Sequence, residues 1–164
     1  MKTYDIRTYP DPILALKAEY VIIFDDDLRE IINNMRLTMQ IAGGVGLAAT
    51  QVGISKRIAI ISCNDNEYIL INPELVEYSG SDTKEEGCLS FPEIFAQVTR
   101  PYSIRIKIND LNGEVQFIET EGQLARAFLH EMDHLDGKLF IDYLSPLKRG
   151  MIRKKMKKRA IEKK

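Results

Sequence analysis

The chain has only two histidines, and they lie four residues apart in "LHEMDHLDG" (129–137). Residues four apart share one face of an α-helix, so His130 and His134 can point at one object. H-E-x-x-H on a helix is a metal-binding pattern in which two imidazoles ligate and the glutamate, here Glu131, is left as a general base. Two histidines also fall together by accident, so the reading needs a helix under the motif and a third ligand. A catalytic metal of this kind takes three protein ligands. The extended pattern H-E-x-x-H-x-x-G-x-x-H fails, because position 140 is Phe140, which cannot ligate. Downstream acids are few (Asp136, Asp142, Glu162), and none falls in a suitable second helix, so the third ligand is expected upstream. There "EEGCLSFP" (85–92) offers Cys88 in a polar, glycine-containing stretch that reads as a turn. A thiolate is a soft ligand that a cation holds deprotonated. Cys63 lies in an apolar run instead and is expected to be a small buried hydrophobe.

A second stretch, "GGVGLAATQ" (43–51), is glycine-rich but lacks the Lys-Ser/Thr ending and the spacing of phosphate-binding loops. Its glycines let a backbone approach a ligand closely. Gln51 closes the run with an amide that can donate a hydrogen bond; standing alone it would read as a solvated surface glutamine.

The elements that must position these groups follow from periodicity. "FDDDLREIINNMRLTMQIAGG" opens on acidic cap candidates and places Leu28, Ile31, Ile32, Met35 and Met39 at helical spacing, with Gly43-Gly44 as the stop. "RIAIISC" (57–63) and "EYILINPELV" (67–76) read as strands around Asn64-Asp65-Asn66. "YSIRIKIND" alternates, with Ile104, Ile106 and Ile108 on one face, and Asn112-Gly113 turns it into "EVQFIET", a hairpin. "YPDPIL" (9–14) is extended or turn. From about Glu121 to Asp136 nothing after Gly122 breaks a helix, and Gly137 stops it. The H-E-x-x-H therefore sits on a predicted helix, with Leu124, Phe128, Met132 and Leu135 as its apolar stripe. Ser145-Pro146 opens a last helix, with an apolar face expected from Leu147, Met151, Ile152 and Met156. Strands flanked by helices give an α+β class.

The 164 residues suggest one domain, and 45% hydrophobic with 29% charged residues is ordinary globular composition. No run of 18 apolar residues is present, so no membrane span is expected. "MKTYDIRTYP" has no apolar segment of a secretory signal, so a reducing, cytoplasmic setting with free thiols is expected. The net charge of −1 hides an asymmetry. Residues 145–164 hold ten Lys/Arg and one acid, leaving thirteen bases and 23 acids in the body, a balance of about +9 against −10. Such a tail raises the question of a nucleic-acid partner.

"GVGLAATQ", "EGCLS" and "HEMDHLDG", in that order, resemble the three signature motifs of the peptide deformylases. The opening "YPDPIL" and the run "GKLFIDYLSPLKR" are similar to that family too, and the resemblance covers roughly residues 1–150. Glu93 stands where the family often has Gly, and Leu129 where it usually has Gln. The basic C-terminal helix resembles that of the bacterial type.

The resemblance implies a catalytic metallohydrolase domain over 1–147, extended by a basic C-terminal helix over 148–164. The fold would be mixed, mostly antiparallel sheets packed around a central helix carrying HExxH. Cys88, His130 and His134 would hold one divalent ion, Fe(2+) in the first place with Zn(2+) or another able to replace it. Glu131 would take a proton from water and pass it to the departing amine, while the Gln51 amide and the Leu89 backbone N–H would stabilise the oxyanion. Val45, Gly46 and Gly87 would pair with the substrate backbone as an added strand. Glu86 would steady the site without ligating. The implied reaction removes the formyl group from the N-terminal methionine of nascent polypeptides. The ribosome is a further partner to test through the tail; DNA and membranes are not expected partners. An H-E-x-x-H endopeptidase and an inactive family member binding RNA are the alternatives. Truncation after Arg149 is expected to leave peptide turnover intact.

Overall fold

The computed structural model describes residues 1–163. Helix α1 (Asp26–Ala42) starts where Asp25 accepts a hydrogen bond from the Leu28 N–H at 3.0 Å and ends at Gly43, whose φ of 72° caps it. Strand β1 (Gly46–Ala48) follows, then a turn of 3-10 helix over Ala49–Val52, β2 (Ile58–Cys63) and β3 (Asn66–Ser79). Asn64 and Asp65 take positive φ between β2 and β3, the requirement of a tight hairpin turn. β4 (Asp82–Cys88) pairs with β5 (Phe91–Arg100), and β6 (Ser103–Asn109) with β7 (Val115–Glu121). Helix α2 (Gly122–Leu135) carries the H-E-x-x-H, and α3 (Pro146–Glu162) is capped by Ser145.

The strands form two antiparallel sheets, one of five in the order β1-β2-β3-β6-β7 and one of two, β4-β5. A single parallel bridge joins Glu19 and Lys56. The class is therefore α+β with antiparallel sheets, as the sequence suggests.

Strand β2 explains its unbroken apolar run by being covered on both faces. Ala59 and Ile61 pack with Phe128 and Leu135 of α2, while Ile58 and Ile60 pack with Ile32, Met35 and Met39 of α1. Strand side chains alternate between faces, so each helix receives every second residue. Burying each large side chain here contributes about 1.5–3 kcal/mol relative to exposure. The opposite side of α2 faces β4-β5 and the 3-10 turn Phe140–Tyr143: the Arg126 guanidinium donates to the Val98 carbonyl at 2.8 Å, and the His130 ring lies 5.9 Å from that of Phe140.

Three expectations need correction. Cys88 does not sit in a free turn; it is the last residue of β4, a strand the sequence conceals because Thr83, Lys84 and Glu85 are all exposed. β3 runs on to Ser79 past Pro73, which is accommodated where its register against β6 shifts between Ile71 and Glu74. The apolar face of α3 is also different. Leu147 and Met151 are exposed, whereas Met156 is 3% exposed and joins Phe91, Ile94 and Phe140 in a third core cluster, with Ile152 beside it. Truncation after Arg149 would thus remove part of the core, so it does not isolate the charges of the tail.

Candidate active site

Helical spacing brings His130 and His134 together, with ring centroids 5.1 Å apart. The end of β4 delivers Cys88 to them. Its Sγ lies 3.3 Å from His134 Nε2, and one donor atom from each of the three residues falls within 4.8 Å of the others. The Glu86 carboxylate accepts from His130 Nδ1 at 2.9 Å, which makes Nδ1 the N–H side of the ring and Nε2 the nitrogen that can ligate. Two imidazole nitrogens and a thiol sulfur converging in this way are a donor set for a borderline-soft divalent ion.

The surroundings treat the two imidazoles differently. Burial pulls His130 down, but its bonds to Cys88 and Glu86 and the charge of Glu131 outweigh this and raise it well above the usual imidazole range. Burial and the charges of His130 and Arg100 hold His134 well below that range. His134 is thereby kept neutral, as a ligand must be, whereas His130 has to give up any second proton when a cation binds, so proton and cation compete at its Nε2. Burial also acts to raise Glu86, yet bonds from His130 and Arg100 bring it down to about 2. This carboxylate is 6% exposed and accepts from Arg100 Nη2 at 2.9 Å and Arg126 Nη1 at 2.6 Å. Arg100 in turn donates to Asp133 at 2.9 Å and lies over the Tyr143 ring. Two guanidiniums therefore compensate the buried charge that orients His130.

Glu131 is 5% exposed, and its Oε1 has no hydrogen-bond partner among the described residues. Burial pushes its carboxyl up to about 7, against the pull of His130 and Arg100. A carboxyl poised near neutrality can both take and return a proton. Gly46 makes room for it: a Cβ there would overlap the Glu131 carboxylate. Gln51 is 1% exposed rather than solvated. Its Oε1 accepts from the Ala48 N–H at 2.9 Å, which fixes the amide so that Nε2 faces Ser90 Oγ at 3.1 Å and Cys88 Sγ at 3.6 Å.

Gln51, Glu86, Cys88, Arg126, His130 and Glu131 line a cavity of about 500 Å³. Val45, Gly46, Gly87 and Leu89 line it too, with Ile94 and Phe95 opposite. β1 is an edge of the five-stranded sheet and β4 pairs only with β5, so two open strand edges border one cavity. All ten residues singled out for the site, Glu86 included, therefore meet at one place, with His134 joined to the others through Cys88. Cys63 does not; it packs against the core at the end of β2.

A family model described as polypeptide deformylase matches residues 3–150. The chain belongs to the polypeptide deformylase family. The peptide deformylase of Stenotrophomonas maltophilia strain K279a is 49% identical over 164 residues, covering 96% of each chain. A peptide deformylase from Legionella pneumophila superposes with a TM-score of 0.91 at 41% identity, covering 98% of this chain and 97% of that one. The peptide deformylase of Ehrlichia chaffeensis in complex with actinonin gives 0.93 at 38% identity, over 97% and 98%.

Within this deformylase-family site, Arg100, Arg126 and Ser90 take places that the sequence motifs do not announce. Arg126 had a signal, since it lies one turn before His130 on the same helical stripe. Ser90 is fully buried inside the quoted "EGCLS". Arg100 had none; its place beside Glu86 depends on the β4-β5 hairpin.

Proposed function

We propose that the chain is a metal-dependent peptide deformylase that removes the formyl group from the N-terminal methionine of newly made polypeptides and releases formate. The observation that carries this reading is the convergence of Cys88, His130 and His134 with a free, buried Glu131 in a chain of this family. The H-E-x-x-H segment acts as the central helix of a catalytic domain over 1–147, and 148–164 extends that domain. The endopeptidase and inactive-binder alternatives are not favoured by the family match.

Cys88, His130 and His134 hold the ion, with Fe(2+) proposed as the native one and Zn(2+) or another divalent ion as substitute. A divalent cation there supplies positive charge that acidifies water and polarises a carbonyl oxygen. The protein's own groups do the rest. The formyl peptide enters as an extra strand between β1 and β4, pairing with the backbone of Val45, Gly46 and Gly87. Glu131 takes the proton as water oxygen bonds to the formyl carbon. Gln51 Nε2 and the Leu89 N–H bear the oxyanion. The C–N bond then breaks, Glu131 returns the proton to the amine, and formate leaves.

Formyl is the smallest acyl group, carrying only hydrogen on its carbonyl carbon, so a close-fitting site accepts it and rejects larger ones. The test is turnover of formyl-Met and acetyl-Met versions of one peptide. Formyl-Met should be hydrolysed and acetyl-Met left essentially intact, with no internal bond cut. Comparable rates on the two would refute the pocket. Gln51→Leu should keep metal and fold while losing on the order of 10²-fold in kcat, the scale of one oxyanion donor. An unchanged kcat would remove Gln51 from the mechanism.

The tail belongs to this reading as a ribosome contact in the cytoplasm, where formylated chains emerge. No helix among the described residues is long and apolar enough to cross a membrane. Lys154, Lys155, Lys157 and Lys158 are exposed on α3, free of the core contacts of Met156. Reversing these four charges should leave peptide turnover intact and abolish cosedimentation with ribosomes at low salt, because such binding rests on counterion release. Cosedimentation that survives reversal would make the tail an ordinary solvated face.

A further inference from the structure

The wall of the cavity contains a break in the β4-β5 ladder. Gly87 pairs with Phe95 and Cys88 with Phe91, so Pro92, Glu93 and Ile94 are skipped. The skipped residues have no partner across the ladder, yet all three line the cavity. Glu93 adopts φ 64°, a left-handed conformation that costs a non-glycine residue free energy. Its side chain is 88% exposed, so burial does not hold it. The restraint comes from α3. Arg159 Nη1 donates to the Pro92 carbonyl at 2.7 Å, and Nη2 lies 3.9 Å from Glu93 Oε2. Arg159 is itself set by Met156, whose sulfur lies 3.7 Å from Nη1 and whose side chain is buried beside Phe91 and Ile94.

We propose that Arg159 is a positioning residue for substrate: it clamps the 92–94 bulge, so the C-terminal helix sets how tightly the peptide binds. The proposal rests on the deformylase reading of the cavity. The bulge leads directly into Phe95, whose ring lies against Gly87, where a Cβ would fall 2.7 Å from ring carbon Cε1. Gly87 is one of the backbone positions assigned to the peptide, so a loosened bulge misplaces the wall against which the peptide lies. The reacting side chains are anchored elsewhere, on α2, at the end of β4 and in the 49–52 turn, and the Leu89 N–H directly follows Cys88, ahead of the bulge. Losing the clamp should therefore raise KM and spare kcat.

The experiment compares Arg159→Ala, Arg159→Lys and Lys157→Ala in the metal-loaded full chain, with a formyl-Met tripeptide as substrate. Metal content and amide hydrogen exchange are read on the same samples. Arg159→Ala should raise KM about fivefold to tenfold, the effect of a charge-assisted hydrogen bond discounted for partial exposure, with kcat and metal content unchanged. Exchange at residues 93–95 should accelerate. Arg159→Lys should restore part of the affinity, and Lys157→Ala should match the unsubstituted protein. In a Glu93→Gly background the effect of Arg159→Ala should shrink, because glycine holds φ 64° without restraint. An unchanged KM in Arg159→Ala, unchanged exchange at 93–95, or an equal KM effect in the glycine background would each overturn the clamp. Failure of the unsubstituted protein to hydrolyse the peptide would overturn the deformylase reading instead, and the exchange arm would still judge the clamp.

Discussion

Glu131→Gln should retain the metal of the unsubstituted protein and lose at least about 10² in kcat, the contribution of a positioned proton-transfer group. The substitution keeps the shape of a buried side chain that nearly touches the backbone at Gly46, so packing is preserved while the proton shuttle is lost. Glu131→Ala should give the same kinetic loss and the same metal content. The reasoning is geometric. Oε1 has no protein partner, the residue is not among the three that share donor atoms, and its carboxyl is poised near neutrality by burial. Metal analysis alongside single-turnover kinetics checks it. Loss of metal in either variant would make Glu131 a ligand and the mechanism wrong.

The second large effect is at Cys88. Cys88→Ser should lose the metal, or bind it so weakly that activity falls by on the order of 10² or more, because a hydroxyl replaces the soft anionic ligand of the set. Cys63→Ser should keep both metal and activity. The contrast is informative because both cysteines are free and half-buried. Only Cys88 has its sulfur against His134 Nε2; Cys63 packs against the apolar core beside α2. Equal metal content in Cys88→Ser and the unsubstituted protein would remove Cys88 from the site.

Much of this architecture is legible in the residues because the long elements bury one face each. The helix over 26–42 and the hairpin over 103–121 show in the spacing of Met35 and Met39 and in the alternation of Ile104, Ile106 and Ile108. The α2 stripes show as well, because His130 and Phe128 face different partners. β4 and β5 do not show. β4 exposes Thr83, Lys84 and Glu85, and its pairing is interrupted at Pro92 and Glu93, so no period survives in the sequence. The docking face of α3 is hidden for a different reason. A helix with ten basic charges in and around it has too few apolar positions for periodicity to choose among, and the choice of Met156 over Met151 is made by Phe91 and Phe140.

The two departures from the family pattern acquire physical meaning in the fold. Glu93 occupies a left-handed conformation that favours glycine, and an external restraint from Arg159 accompanies it. Leu129 is 8% exposed and packs with the α2 core against the five-stranded sheet, where an aliphatic side chain needs no hydrogen-bond partner.

The most direct measurement is formate released from a formyl-Met peptide by protein prepared without oxygen, with the metal content of the same sample determined. One divalent ion per chain and stoichiometric formate, both lost together on chelation and restored together by Fe(2+), are the predicted results. Formate release that persists after complete removal of the metal, or a fully loaded protein that releases none, would contradict the account.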